Sequence, residues 1–326
     1  TIQQEKLNNQ VAELDVATSE NNIQESIAQV YIQILYAAES VKVNESTLQV
    51  SIAQRDRGQE LLNAGSIAKS DFAQLEAQVS TDRYQLVTAQ ATLEDYKLQL
   101  KQLLELDGEN EMNIYLPALS DENVLAPLPT KKDVYISALS LRPEIEASKL
   151  NVEASELGIG IAKSSYLPTI SLSAGIGTNH TSGSDFTFGE QVKNGWNNSI
   201  GLSVSVPIFN NRQTKSAVQK AKLQYETSML SLLDEQKTLY KTIEGLWLDA
   251  NSAQQRYAAA NEKLKSTQIS YELISEQFNL GMKNTIELLT EKNNLLQAQQ
   301  EQLQAKYMAI LNTQLLKFYQ GDQLAI

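Results

Sequence analysis

All six prolines of this 326-residue chain lie between residues 117 and 207. A proline inside a helix removes a hydrogen-bond donor and clashes with the preceding turn, so both proline-free flanks can form helices of unusual length. From about Gln3 to Leu62 only Gly58 interrupts the first flank. Ile23, Ile27, Val30, Ile34, Ala38 and Val41 recur in steps of three and four, the mark of one buried helical face. At ~1.5 Å per residue such a helix would be roughly 90 Å long, more than a globular domain uses. Asn63-Ala64-Gly65-Ser66 reads as a helix stop, with Gly65 free to take the left-handed cap conformation. A returning helix is predicted from about Lys69 to Leu106. Its Leu75, Val79, Leu86, Ala89, Leu93, Tyr96, Leu100 and Leu103 follow a heptad, so it should pack as a coiled coil.

The C-terminal third repeats this plan at an offset of 216 residues. Gln3 falls on Gln219, Lys6 on Lys222, Leu7 on Leu223, Tyr31 on Trp247, Glu60 on Glu276, Asn63 on Asn279, Gly65 on Gly281 and Leu100 on Leu316. No gap is needed, and Leu289, Leu296, Leu303 and Ile310 form a seven-residue ladder in the second returning helix. Two helical hairpins at constant spacing indicate duplication. Tyr31 and Trp247 sit at equivalent core positions and read as packing residues.

Between the copies the pattern changes. Residues 107–130 carry Pro117, Pro127 and Pro129 and read as an irregular connector. Residues 131–165 read as helices broken at Arg142-Pro143. Two segments with period two then follow within residues 166–210. In the first, Ile170, Leu172, Ala174 and Ile176 share one face, and Ser171, Ser173, Gly175 and Gly177 the other. In the second, Ile200, Leu202, Val204 and Val206 oppose Ser199, Gly201, Ser203 and Ser205. Alternation gives each strand one apolar face and one small polar face. That pattern suits a membrane β-strand of roughly 10 residues, apolar to lipid and polar to a lumen; a half-buried strand of a water-soluble protein has the same pattern. A polar loop over 179–195 joins them.

Composition removes several classes of function. The net charge is −12, with acids and bases mixed along the helices, which argues against a nucleic-acid partner. Without cysteine there is no thiolate nucleophile or Cys-ligated zinc, and one histidine, His180, excludes metal sites needing two imidazoles. No apolar run is long enough for a transmembrane helix. No catalytic constellation emerges, so neither an enzyme nor a cofactor is expected. His180 reads as a solvated loop residue, and Asn179-His180-Thr181 matches a glycosylation sequon too short to be specific.

Helices flowing directly into strands narrow the choice further. Arg142-Pro143-Glu144, Tyr166-Leu167-Pro168 leading into a strand, Val206-Pro207-Ile208-Phe209 leading out, and the Leu280-Gly281 turn resemble the outer-membrane efflux (TolC-like) family. The resemblance covers residues 141–320 as one structural repeat and 1–106 as the second half of a preceding one. It implies a mostly α fold with a small β part, in which antiparallel coiled-coil hairpins build an α-barrel and a β-hairpin joins a trimeric outer-membrane β-barrel. It also implies an exit duct for efflux or type I secretion in the bacterial outer membrane and periplasm. The implied partners are two further copies, a periplasmic adaptor, an inner-membrane pump and outer-membrane lipid. Residues 1–106 and 211–326 would then be periplasmic hairpins, and 179–195 an extracellular loop. By the same register Thr1 falls where a first β-hairpin would end, so the chain is expected to carry two of four strands.

The resemblance also marks residues around the two helical turns. Ser70 and Asp71 match a hydroxyl-acid pair, and Phe278, Lys283 and Glu287 match an aromatic, a base and an acid that close the periplasmic tip. A further family acid is Thr290 here, which would weaken an acidic constriction. Under this reading Lys283 pairs with Asp71, and Glu287 forms a carboxylate ring that favours cations. An exposed ion pair contributes only ~0.2–1 kcal/mol, an amount a docking partner could overcome. The plainer reading is that Asp71 and Glu287, equivalent under the repeat, cap their helices. Ala64, Gly65, Ser66, Leu280, Gly281 and Met282 would be the adaptor-docking tips. Tyr166, Trp196 and Phe209 lie near strand ends, where an aromatic belt would meet lipid headgroups; simple burial is the alternative. A coiled-coil scaffold capped by a water-soluble β-hairpin is the competing class, and the small faces of both strands count against it.

Overall fold

The computed structural model describes residues 1–106, 114–115 and 124–324. In chain order the elements are α1 (Ile2–Asn63), α2 (Lys69–Leu103), α3 (Lys131–Leu141), α4 (Pro143–Ser164), β1 (Thr169–Gly177), α5 (Phe188–Asn194), β2 (Asn197–Ser205), α6 (Gln213–Asn279) and α7 (Thr285–Gln320). This is a mostly α chain with one two-stranded antiparallel sheet among the described residues. The proline-free flanks form uninterrupted helices of 62 and 67 residues, each followed by a shorter returning helix. Among the described residues, no helix is long and apolar enough to cross a membrane.

Three expectations need correction. The returning helix α2 stops at Leu103, and Glu105 turns into positive φ (52°), so the helix ends earlier than Leu106. The loop over 179–195 is not wholly irregular. Thr187 starts the short helix α5, its backbone N–H donating to Glu190 Oε2 at 2.9 Å. The buried face of α1 is broader than one stripe: Ala28, Ile32, Ile34, Leu35, Ala37 and Ala38 are buried, while Ile23 is 49% exposed. Much of the predicted connector, including Pro117, lies outside the described residues.

Two compact units organise the chain. One comprises Leu14–Ile145 and Glu235–Ile326. In it, Ile32 and Leu35 of α1 join a cluster with Tyr257 of α6 and Tyr307, Ile310, Leu311 and Leu315 of α7. A second cluster joins Val134 and Ala138 of α3, Ile145 of α4, Leu239 and Ile243 of α6, and Leu316 and Tyr319 of α7. Arg142, buried at the break between α3 and α4, ion-pairs with Glu25 at 3.1 Å and Glu144 at 2.8 Å and stacks over Tyr319. Burial pushes the Glu25 carboxyl up against the opposing pull of Arg142. Tyr31 and Trp247 do more than pack. The Tyr31 hydroxyl donates to Tyr115 O at 2.7 Å and Trp247 Nε1 to Pro129 O at 3.0 Å, so these repeat-related residues both anchor the connector.

The other unit comprises Thr1–Glu13 and Glu146–Asp234. Gln4 Nε2 donates to Ala154 O at 3.0 Å, tying the start of α1 to α4, and the hydroxyls of Ser155 and Ser228 tie α4 to α6. Its sheet pairs Ile170 with Val204, Leu172 with Leu202 and Ala174 with Ile200. Among its described residues only Ala147, Ala154 and Thr214 are buried, which is little core for its size.

Candidate functional site

The helical tips are built twice from the same bonds. After α1, Ala64 N–H donates to Glu60 O, Gly65 N–H to Leu62 O and Ser66 N–H to Leu61 O. After α6, Leu280, Gly281 and Met282 make the same three bonds to Glu276, Phe278 and Gln277. The two glycines take φ of +72° and +76°, a region where a Cβ is strained. Crossed bonds of this kind satisfy the last carbonyls of a helix and reverse the chain tightly. Ala64, Gly65, Ser66 and Gly281 are exposed, and Leu280 and Met282 present apolar side chains at 75% and 71% exposure.

Each returning helix begins on an acid three residues past its cap. Asp71 accepts from the Ala68 backbone N–H at 3.2 Å. Glu287 accepts from the Asn284 N–H at 3.2 Å, while the Asn284 side chain accepts from the Glu287 N–H at 2.9 Å. The second turn therefore has both halves of a capping box and the first, starting on alanine, has one. Lys283 donates to Glu287 Oε1 at 2.5 Å. Within a single chain its partner is thus Glu287, four residues on. The Lys283 hydrogen bond, followed by that of the Asn284 N–H, holds the Glu287 carboxyl below the usual carboxylate range. Ser70 is exposed. Phe278 is only 2% exposed and packs with Leu75 and Leu288, so its ring cements the tips from within.

Two further links were not foreseen. Arg57 pairs with Glu60 at 2.6 Å and donates from Nη2 to Asn279 O at 3.3 Å, joining α1 to the second turn. Gln54 Nε2 donates to the Tyr271 hydroxyl at 2.8 Å. Nothing in the local pattern marks either residue, because an arginine or glutamine on a long helix is ordinarily solvated. Gly58 had read only as a tolerated interruption. A Cβ there would lie 2.3 Å from Leu75 Cδ1, so glycine is what lets α1 approach α2.

The β-hairpin is a second candidate surface. Ile170, Leu172, Ile176, Ile200, Leu202, Val204 and Val206 are each at least 60% exposed. On the opposite face serine alternates with glycine across the strands, Ser173 opposite Gly201 and Gly175 opposite Ser199. A Cβ at Gly201 would lie 2.9 Å from Ser173 Oγ, an exposed hydroxyl that can rotate away, so the face is small by composition. Each strand of nine residues spans about 30 Å, and a tilt near 45° reduces this to roughly 21 Å, close to the apolar height of an outer-membrane barrel. Tyr166 and Phe209 flank the end where the helices enter, and Trp196 the loop end; all three are exposed rather than buried. Phe186 and Phe188 add exposed aromatics at the loop end. His180 shares the Gln191 side-chain oxygen with the Thr181 N–H, and its ring meets Phe188 edge-on. No cluster of metal-binding side chains occurs among the described residues.

Residues 134–321 match the family described as Outer membrane efflux protein. The chain is 24% identical over 294 residues to the outer membrane efflux protein BepC of Brucella suis biovar 1 (strain 1330), covering 90% of this chain and 61% of that protein. It is 23% identical over 311 residues to the outer membrane protein TolC of Escherichia coli (strain K12), covering 93% and 62%. Among solved structures, the Campylobacter jejuni CmeC outer membrane channel superposes with a TM-score of 0.80 at 19% identity, covering 99% of this chain and 68% of that one. That likeness concerns the fold. The chain spans 61% to 62% of the length of these two curated relatives.

Proposed function

Because the chain belongs to the outer membrane efflux protein family, we propose that it contributes a wall segment and two helical hairpins to a passive exit duct in the outer membrane. The observation that carries this reading is the β-hairpin, with one exposed apolar face, one face of small residues, and no apolar layer on its own unit to cover the first. Both strands have an open edge, and bilayers accept only sheets whose edges are closed. Homotrimeric assembly of the intact protein would supply the missing neighbours. The aromatics at both strand ends would sit at headgroup level. Energy for transport would come from an inner-membrane pump reached through a periplasmic adaptor. The adaptor would dock on the turns, where Leu280 and Met282 offer exposed apolar contacts.

The same proposal makes the tips a gate. Ser70, Asp71, Lys283 and Glu287 form its polar surface, and Phe278 acts as the internal anchor that holds the hairpins in place. Glu287, ion-paired to Lys283 in one chain, would present three carboxylate–ammonium pairs around a threefold axis. Conductance of the full-length protein across a planar bilayer tests the gate. Glu287→Ala should lower cation selectivity, and Lys283→Ala should raise it by freeing the carboxylate. Unchanged conductance and selectivity in both variants would remove these residues from the gate.

A further inference from the structure

The lower half of the first hairpin buries polar groups where its coiled-coil seam should be apolar. Asp82 occupies the seam position between Val79 and Leu86 and is 1% exposed. Lys292 lies on the seam of α7 between Leu288 and Leu295 and is 3% exposed. Ser51, 2% exposed, belongs to a buried run on α1 formed by Asn44, Thr47, Ser51, Gln54 and Gly58, spaced by threes and fours. These elements meet at one point. The Lys292 ammonium donates to Asp82 Oδ2 and to Ser51 Oγ, the Ser51 hydroxyl donates to the same carboxylate oxygen, and Gln78 Nε2 donates to Asp82 Oδ1 at 2.9 Å. Both carboxylate oxygens are therefore engaged, and one cation binds two different helices of the opposite hairpin.

A buried ion pair is poor evidence of stability, since apolar residues of similar size often do as well. What it does supply is register. Sliding a helix by one turn leaves an apolar seam apolar, but here it would strand a buried charge without a partner. We propose that Lys292, Asp82 and Ser51 form a register lock that fixes the axial position of α7 against both α1 and α2. Below it, toward the turns, Leu75, Phe278 and Leu288 complete the connection. Under the 216-residue offset the counterparts of Ser51, Asp82 and Lys292 are Thr267, Ala298 and Glu76, so the lock is not repeated. It was built once, between the two hairpins of one chain.

The absence of native cysteine makes a direct test simple. Spin labels at Ser66→Cys and Met282→Cys, in full chain diluted with unlabelled chain, report the distance between the two tips. The native seam should give one narrow distribution. A Lys292→Met/Asp82→Leu double variant should keep its helical content and thermal midpoint while its distribution broadens or splits, with components displaced by about one helical turn, ~5.4 Å. The charge-reversed Lys292→Asp/Asp82→Lys variant should narrow it again. A folded double variant with native width overturns the lock. So does a double variant that loses its helices, because the cluster would then serve stability rather than register. Conductance is not read, so failure of the lock leaves the duct proposal standing and failure of the duct leaves the lock standing.

Discussion

Residue 68 begins the first returning helix as an alanine, whereas its counterpart, residue 284, is an asparagine whose side chain caps α7. The first turn therefore lacks the side-chain cap of the second, and the Asp71 N–H donates to the Ala68 carbonyl at 3.1 Å instead. Ala68→Asn should stabilise the chain by about 1 kcal/mol and Asn284→Ala should destabilise it by a similar amount, read from urea-unfolding midpoints. Glu287 carries the pH dependence of this corner. Its carboxyl titrates below the ordinary value of 4.5, so its contribution is complete above about pH 4.5 and is lost as pH falls through the lower, folded value. Amide protection in the first turn of α7 should accordingly hold down to that pH and then fall, relative to a Glu287→Gln variant that lacks the dependence. The capping acids were legible in the sequence, because caps are local and three-residue spacing reveals them. The partner of Lys283 was not. Asp71 and Glu287 are equally acidic on paper, and only the folded turn shows which one lies within reach. Phe278 was recognised as a site residue, but its burial depends on Leu75, some two hundred residues away in the chain, which no local pattern reports.

The long helices, the turns between them and the alternating faces of the strands could be read from periodicity, because each depends on steps of two, three or four along the chain. The departures arise where two elements approach closely. Gly58 looked like a mild defect, yet it admits the Leu75 side chain, which is 1% exposed. Gly58→Ala gains about 1 kcal/mol of helix propensity but forces overpacking that costs ~1–3 kcal/mol. The thermal midpoint should therefore stay level or fall, unlike an ordinary glycine replacement in a helix. Asp82 was visible only as a missing apolar residue in the heptad between Val79 and Leu86, and Lys292 not at all, since its meaning lies in α2. Lys292→Met alone leaves Asp82 buried without its cation and should cost about 3–5 kcal/mol in denaturant unfolding, well above the cost of the matched apolar pair.

On the scale of the whole molecule, the unit holding the β-hairpin buries few side chains while exposing Ile170, Leu172, Ile200 and Leu202. Water is a poor surrounding for such a surface, and an open-edged sheet is equally unsuited to bare lipid. Both problems disappear when strands of several chains close a barrel in a membrane. Leu202→Arg on the lipid-facing side should then cost about 2–4 kcal/mol in barrel stability, whereas Ser203→Arg one residue on should be tolerated and should alter ion selectivity. The most direct test is conductance of the full-length protein in a planar bilayer, with single cysteines placed along the strands. Ser173→Cys and Ser203→Cys channels should lose conductance when a membrane-impermeant thiol reagent is added, while Leu172→Cys and Leu202→Cys channels should not respond. Block at the leucines and none at the serines, or no conductance from the intact protein, would contradict the assignment of this hairpin as the wall of an exit duct.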